Sequence, residues 1–164
     1  MSQTQPLSSS ASDNTPLFHK ILVAIDGSEH SFKAAKYALD LAQSSSSLGA
    51  SIYAITVTSI PESDHLKEED VLEKSRKTNK GMEDAKSWLD NFNQQAKENN
   101  VQLHIELINS PRPVDYVILE YAEEKQIDLI VMGTRGRTGF KKLLLGSTAS
   151  SVVTYSHCTV MVVK

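Results

Sequence analysis

Residues Asp128–Ser150 read DLIVMGTRGRTGFKKLLLGSTAS, and the type of fold can be inferred from this stretch. Its start, Asp128–Gly133, is a short apolar run that is typical of a strand buried on both faces of a parallel sheet. The run then breaks into glycines and cations, and Gly146-Ser147 opens a segment with a helical pattern. A strand that leads through a glycine-rich loop into a helix is a building unit of α/β folds.

The rest of the chain repeats this alternation of strand and helix. Further strands are predicted at Ile21–Asp26, Ser51–Val57, Val101–Leu107 and Thr159–Lys164. Residues 62–80 carry mixed charges and predict a loop that passes into a helix. Apolar residues at helical spacing predict three more helices, with stripes Phe32/Ala35/Leu39/Ala42, Met82/Ala85/Leu89/Phe92/Ala96 and Val114/Val117/Ile118/Tyr121. Five strands and four helices predict an open parallel sheet that is covered on both faces.

Two features position the strands and a site in this sheet. Val101–Leu107 alternates between apolar and polar residues, which indicates a half-exposed strand at a sheet edge. Ligands of such folds lie beyond the carboxyl ends of the strands, where the strand order reverses. We expect that point at the ends of the first and fourth strands, at Asp26-Gly27 and Met132-Gly133. Ser28 is the expected cap of the first helix.

Composition limits the class of protein. The chain has 164 residues, which suits one domain at 18–164 preceded by a polar segment, 1–17, that we expect to be a flexible tail. No apolar run is long enough to span a membrane, and no signal-like segment occurs at the start. The net charge is −3 and there is one cysteine, Cys158. We therefore expect a cytoplasmic protein without a membrane or nucleic-acid partner.

The glycines of the opening stretch have the spacing G-x2-G-x9-G-S, formed by Gly133, Gly136, Gly146 and Ser147. Glycine lets a ligand approach the backbone, and the N-terminus of a helix offers unpaired N–H groups and a partial positive charge. The alternative is that these glycines only make turns. Four cations make an anion site the better interpretation: Arg135, Arg137, Lys141 and Lys142. The loop matches neither the P-loop nor the G-x-G-x-x-G pattern.

These residues match a known family. KILVAIDGSEHS (20–31), DLIVMGTRGRTGFKKLLLGSTAS (128–150) and TVMVVK (159–164) resemble the universal stress protein (UspA-like) family, and the resemblance covers residues 19–164. The glycine motif marks the ATP-binding branch of that family. The resemblance implies a Rossmann-like, adenine-nucleotide-binding sheet in the strand order 3-2-1-4-5, which agrees with the edge position inferred for Val101–Leu107.

The resemblance also implies a set of ligand contacts. Ala24 and Ile25 would line the base pocket, Asp26 would lie near the ribose and adenine, and Val57 would hold the adenine through its backbone. Other residues would surround the ribose and phosphates: Met132, Gly133, Thr134, Arg135, Gly136 and Arg137, with Gly146, Ser147 and Thr148 donating to the phosphates. A divalent cation, Mg²⁺ or Mn²⁺, would be held mainly by the phosphates.

Three positions depart from the family pattern. Ala24 stands where many ATP-binding members have proline, and Thr148 stands where valine is common. The segment Pro111-Arg112-Pro113 has proline in place of a frequent glycine. None of these changes removes the glycine motif.

Two functions stay open at this level. The first is an ATP-binding module whose output is nucleotide-dependent association with other components in a stress response. The alternative is a slow ATPase that uses Asp26 and a divalent cation, although no positioned base or arginine finger is evident in the glycine loop. Asp26 has an alternative, purely structural role as a turn or helix-cap carboxylate. Trp88 is expected to be a core residue rather than a binding platform.

The last strand, Thr159–Lys164, is apolar although the inferred order places it at the open edge of the sheet. An exposed apolar edge invites pairing with a second chain. The family's usual arrangement is a two-fold homodimer through this strand, and we expect the same here. The alternative is a short edge that a helix covers.

Overall fold

The computed structural model describes residues 18–44, 49–59, 68–136 and 145–164. Five parallel strands form one sheet: β1 (Lys20–Ala24), β2 (Ser51–Ser59), β3 (Gln102–Ser110), β4 (Leu129–Gly133) and β5 (Thr159–Val163). Four helices alternate with them: α1 (Glu29–Ser44), α2 (Glu68–Glu98), α3 (Val114–Glu124) and α4 (Ser147–Tyr155). The strand order is β3-β2-β1-β4-β5. The predicted fold class, strand order and edge position of β3 are confirmed.

The core lies on both faces of the sheet because the two central strands, β1 and β4, are apolar at almost every position. Ile21 and Val23 face α1 and α2, whereas Leu22 packs on the opposite face with residues of α3 and α4. Ile130 and Val131 are fully buried, one on each side. The continuous apolar runs of the sequence therefore correspond to strands with two covered faces.

The helix α1 differs from its predicted stripe at one residue. Phe32 is 44% exposed, so its assignment to the buried face was wrong. Small residues face the sheet instead: Ser31, Ala34, Ala35, Ala38 and Ala42, together with Leu39. They let α1 approach the strands closely, and the Phe32 ring packs edge-on against Trp88 with centroids 6.4 Å apart.

Several element boundaries also differ from the predictions: β1 ends at Ala24 rather than Asp26, and β3 continues to Ser110 rather than Leu107. The strand β2 continues two residues past Val57, to Ser59, because its polar end pairs in register with β3. The helix α2 begins at Glu68, inside the charged stretch that predicted a loop passing into a helix. The tail, 1–17, lies outside the described residues. In the described ranges no helix is both long and apolar enough to cross a bilayer.

Candidate functional site

The turn between β1 and α1 is built around the carboxylate of Asp26. Its Oδ1 accepts hydrogen bonds from the Ser28 N–H at 3.0 Å and the Ser28 hydroxyl at 2.6 Å. The Ser28 Oγ in turn accepts from the Ser31 N–H at 3.2 Å, so Ser28 caps α1 as predicted. The reading of Asp26 as a turn carboxylate therefore holds for one of its oxygens.

Gly27 allows this turn to lie directly under a side chain of α2. Its φ is +81°, which favours glycine, and a Cβ at this position would collide with the Trp88 ring. Trp88 is half-buried and packs against the core. The indole of Trp88 thus packs directly on the β1–α1 turn and holds it in place.

The loop after β4 meets the same turn at two glycines. A Cβ at Gly133 would lie 2.7 Å from the His30 Cβ, so Gly133 lets the first turn of α1 approach β4. A Cβ at Gly136 would lie 2.6 Å from Asp26 Oδ2. The Arg135 carbonyl oxygen lies 3.2 Å from the Ser28 Oγ, as a second and more distant acceptor of the same hydroxyl proton. The two loops that end the central strands therefore interlock around Asp26.

Thr134 connects this loop to the start of α4. Its N–H donates to the Val163 carbonyl oxygen at 2.8 Å, and its own carbonyl oxygen accepts from the Gly146 N–H at 2.7 Å. The Gly146 N–H is thus engaged within the protein. The N–H groups of Ser147 and Thr148 lie in the first turn of α4, where a helix has no acceptor for them.

Two buried polar atoms beside this turn have no hydrogen-bond partner among the described residues. They are Oγ1 of Thr134, a residue only 8% exposed, and Nε of Arg135. A buried polar group without a partner costs about 1–3 kcal/mol. Unpaired donors at a helix N-terminus, next to a guanidinium, are suited to an anion.

On the other side of Asp26 lies a cavity of about 320 Å³. It is lined by the carboxyl end of β2, by the Asp26 turn and by one face of α2: Thr56, Val57, Thr58, Asp26, Lys77, Thr78, Gly81 and Trp88. The Thr56 hydroxyl donates to the Ile25 carbonyl oxygen at 2.8 Å, which ties the ends of β2 and β1 together. A cavity of this size is at the small end of ligand pockets, about 300–1,000 Å³.

The residues singled out from the sequence fall into distinct places. Asp26 and Val57 line the cavity. The side chains of Ile25 and Met132 are buried in the core on opposite faces of the sheet, and Ala24 packs beside the same core as Met132. A second group gathers at the β4 loop and α4: Gly133, Thr134, Arg135, Gly136, Gly146, Ser147 and Thr148. Arg137, Lys141 and Lys142 lie outside the described residues.

Sequence reasoning missed most of the cavity wall. Thr56 and Thr58 follow the apolar part of β2, and their polarity at a strand end was an available signal. Lys77, Thr78 and Gly81 lie on α2 upstream of its predicted apolar stripe. Trp88 is both a core residue and a wall of the cavity. Within the described ranges, no three His, Cys, Asp or Glu side chains come together as metal ligands.

Comparison with known proteins agrees with this architecture. A model of the universal stress protein family matches residues 17–164. The universal stress protein MJ0531 of Methanocaldococcus jannaschii is 37% identical over 148 residues, which cover 90% of this chain and 83% of that protein.

Two solved structures extend the comparison. The structure of MJ0577, from the same archaeon, superposes with a TM-score of 0.72 at 26% identity and covers 88% of this chain and 94% of that one. A universal stress protein in complex with cAMP superposes with a TM-score of 0.65 at 25% identity, covering 90% and 97%. The chain belongs to the universal stress protein family.

Proposed function

We propose that this protein is an ATP-binding universal stress protein that acts as a nucleotide-dependent binding and regulatory module. The observation that carries the proposal is that Gly136 of the β4 loop lies directly against the carboxylate of Asp26. Their contact lies between a nucleoside-sized cavity on one side and the start of α4 on the other. One ligand with an aromatic base, a sugar and phosphates can occupy all three places.

The strand order supports a direction for this ligand. Phosphates would lie at the β4 loop and the first turn of α4, near Gly136, Ser147, Thr148 and the unpartnered Thr134 hydroxyl. The sugar would lie over the end of β1, at the Asp26 carboxylate, which accepts hydrogen bonds from hydroxyls. The base would then lie over β2, beside Val57.

The backbone of the neighbouring residues completes the proposed site. Ala24, Ile25, Met132, Gly133 and Arg135 would contribute main-chain atoms and shape, and Arg137 a further positive charge. Each charge-assisted hydrogen bond to phosphate contributes on the order of 1.5–3 kcal/mol. A relative of 25% identity that is solved in complex with cAMP supports an adenine nucleotide as the class of ligand.

A bound Mg²⁺ or Mn²⁺ would take most of its ligands from the phosphates. The described residues offer Asp26 as a nearby carboxylate and no further cluster of acidic or histidine ligands. Such a cation would neutralise phosphate charge in the nucleotide complex.

The second candidate function is slow ATP hydrolysis. It is supported by the position of Asp26 Oδ2, which faces the Gly136 loop where the phosphates are proposed to lie. Asp26→Asn separates the two functions, because an amide oxygen can still accept the Ser28 bonds. Loss of turnover with nucleotide binding retained would support the hydrolase. Equal, negligible turnover in both proteins would support the binding module.

We further propose a homodimer through the C-terminal segment Thr159–Lys164, which contains β5, and a cytoplasmic location without a nucleic-acid or membrane partner. The exposed edge of the sheet at β5 supports the dimer. Beside it, α4 exposes Val153 and Tyr155, which are 47% and 73% accessible. Apolar side chains at an unpaired edge are typical of an interface.

The central test is mass spectrometry of the nucleotide that is released from the purified protein, followed by calorimetric titration with ATP. We expect a co-purifying adenine nucleotide, or saturable ATP binding once it is removed. The proposed function would be overturned if the purified protein released no nucleotide and also gave no heat of binding on titration with ATP.

A further inference from the structure

One face of α2 continues past the sheet and becomes a wall of the cavity. Ala85, Leu89 and Phe92 are buried on this face against the sheet. Toward the start of the helix the same face, at intervals of three or four residues, carries Gly81 and Lys77, which both line the cavity. The stripe that anchors α2 on the core therefore overhangs the end of β2.

Gly81 is an unusual residue for this position. Glycine is the least favourable residue in a helix interior after proline, and Gly81 lies well inside the 31-residue α2. Beyond the backbone of its own helix, a Cβ added at Gly81 would meet no atom of the described residues within 4 Å. At Gly27, by contrast, the Trp88 ring fills that space. Close packing within the protein thus explains Gly27, whereas no described residue occupies the room beside Gly81.

The wall that contains Gly81 is fixed at its other end. The Trp88 ring lies against Gly27 and packs on the edge of Phe32, so the helix cannot shift away from the cavity without losing these contacts. A side chain at position 81 would therefore reduce the depth of the cavity on the α2 side. With the phosphates over β4 and the sugar over β1, the group that reaches this depth is the base, which lies over β2.

We propose that Gly81 is a specificity-determining position that leaves room for the base of the bound nucleotide. The inference rests on the proposed function and adds α2 to the site. A larger side chain at position 81 would occupy the base position without disturbing the phosphate contacts at the β4 loop.

The test compares ATP binding to the full-length wild type with that of Gly81→Ala, Gly81→Leu and a control, Glu83→Leu. Glu83 is exposed and lies two residues along α2, on the face away from the cavity. We expect the dissociation constant to rise at least about tenfold in Gly81→Leu, less in Gly81→Ala, and not in Glu83→Leu. The melting temperature of both Gly81 variants should equal or exceed that of wild type, because each residue favours the helix more than glycine does.

Trp88 provides a second readout because it is the single tryptophan of the chain. ATP should change its emission in wild type, with the midpoint shifted to higher ATP in Gly81→Leu. Unchanged affinity in Gly81→Leu would overturn the inference, as would a loss of binding accompanied by a loss of helical circular dichroism. If wild type binds ATP and Gly136→Val does not, the proposed function stands even when this inference fails.

Discussion

At the scale of single residues, the glycines of the motif differ in what a side chain would displace. At Gly136 a Cβ would meet the carboxylate end of the Asp26 side chain, whereas at Gly133 it would meet the backbone of α1. We expect Gly136→Val to lower ATP affinity at least about a hundredfold, about 2.7 kcal/mol, with a melting temperature close to wild type. Gly133→Val should lower the melting temperature as well. ATP titration and thermal unfolding of both variants check this, and equal ATP affinity in Gly136→Val would exclude this loop from the site.

Replacing Thr134 should change the stability of the protein and its ATP affinity in opposite directions. Thr134→Val removes a buried hydroxyl that has no partner among the described residues, so the free energy of unfolding of the nucleotide-free protein should rise by about 1 kcal/mol. ATP affinity should fall if that hydroxyl donates to phosphate.

The control for Thr134→Val is Thr56→Val. Thr56 is also buried, at 3% exposure, but its hydroxyl donates to the Ile25 carbonyl oxygen. Its replacement should lower the free energy of unfolding by about 1 kcal/mol. Urea denaturation of the three nucleotide-free proteins measures both changes, and destabilisation by Thr134→Val would show that the hydroxyl has a partner within the protein.

At the scale of elements, Tyr121 packs α3 against the sheet in the core that also contains Ile55 of β2. Burial raises the pKa of its phenol above the ordinary range, and the hydrogen bond with Glu106 and the charge of that carboxylate add to the effect. The contribution of Tyr121 to stability is intact below about pH 10, the pKa of an unfolded tyrosine. Above it the unfolded chain loses the proton while the folded chain keeps it, so the free energy of unfolding falls with rising pH.

The prediction is that Tyr121→Phe reduces this alkaline loss. Urea denaturation of wild type and variant from pH 8 to about 11 should show a smaller decline in the variant. Tyr37→Phe is the matched control, since the Tyr37 side chain is 54% exposed on α1 and its replacement should not reduce the alkaline decline. Parallel curves for wild type and Tyr121→Phe would contradict the assignment.

The elements also show how far the sequence could lead. The apolar runs of β1 and β4 and the alternation of β3 are local patterns, and they predicted the sheet and its edge correctly. The start of α2 and its overhang over the cavity depend on where the helix lies relative to β2, which no local pattern records. Phe32 shows the same limit, because helical spacing alone could not distinguish it from the small residues that face the sheet.

At the scale of the whole molecule, β5 leaves one edge of the sheet open. The Val163 carbonyl oxygen accepts from the Thr134 N–H, so the backbone of Val163 faces β4. Alternate residues of a strand direct their N–H and C=O groups to opposite sides, and the backbone of Val162 therefore faces the open edge. A two-fold axis at this edge would pair two copies of β5.

Val162→Pro tests this dimer without breaking the sheet. Proline removes only the outward N–H, which an edge strand tolerates, whereas Met161→Pro removes an N–H that faces β4 and should unfold the edge. In analytical ultracentrifugation we expect a dimer for wild type and a folded monomer for Val162→Pro. We also expect both proteins to have the same ATP affinity, because β1 and β4 separate β5 from β2, where the base is proposed to lie. Equal affinity would show that each protomer holds a complete site. A monomeric wild type at micromolar concentration would exclude the dimer and leave the nucleotide site untouched.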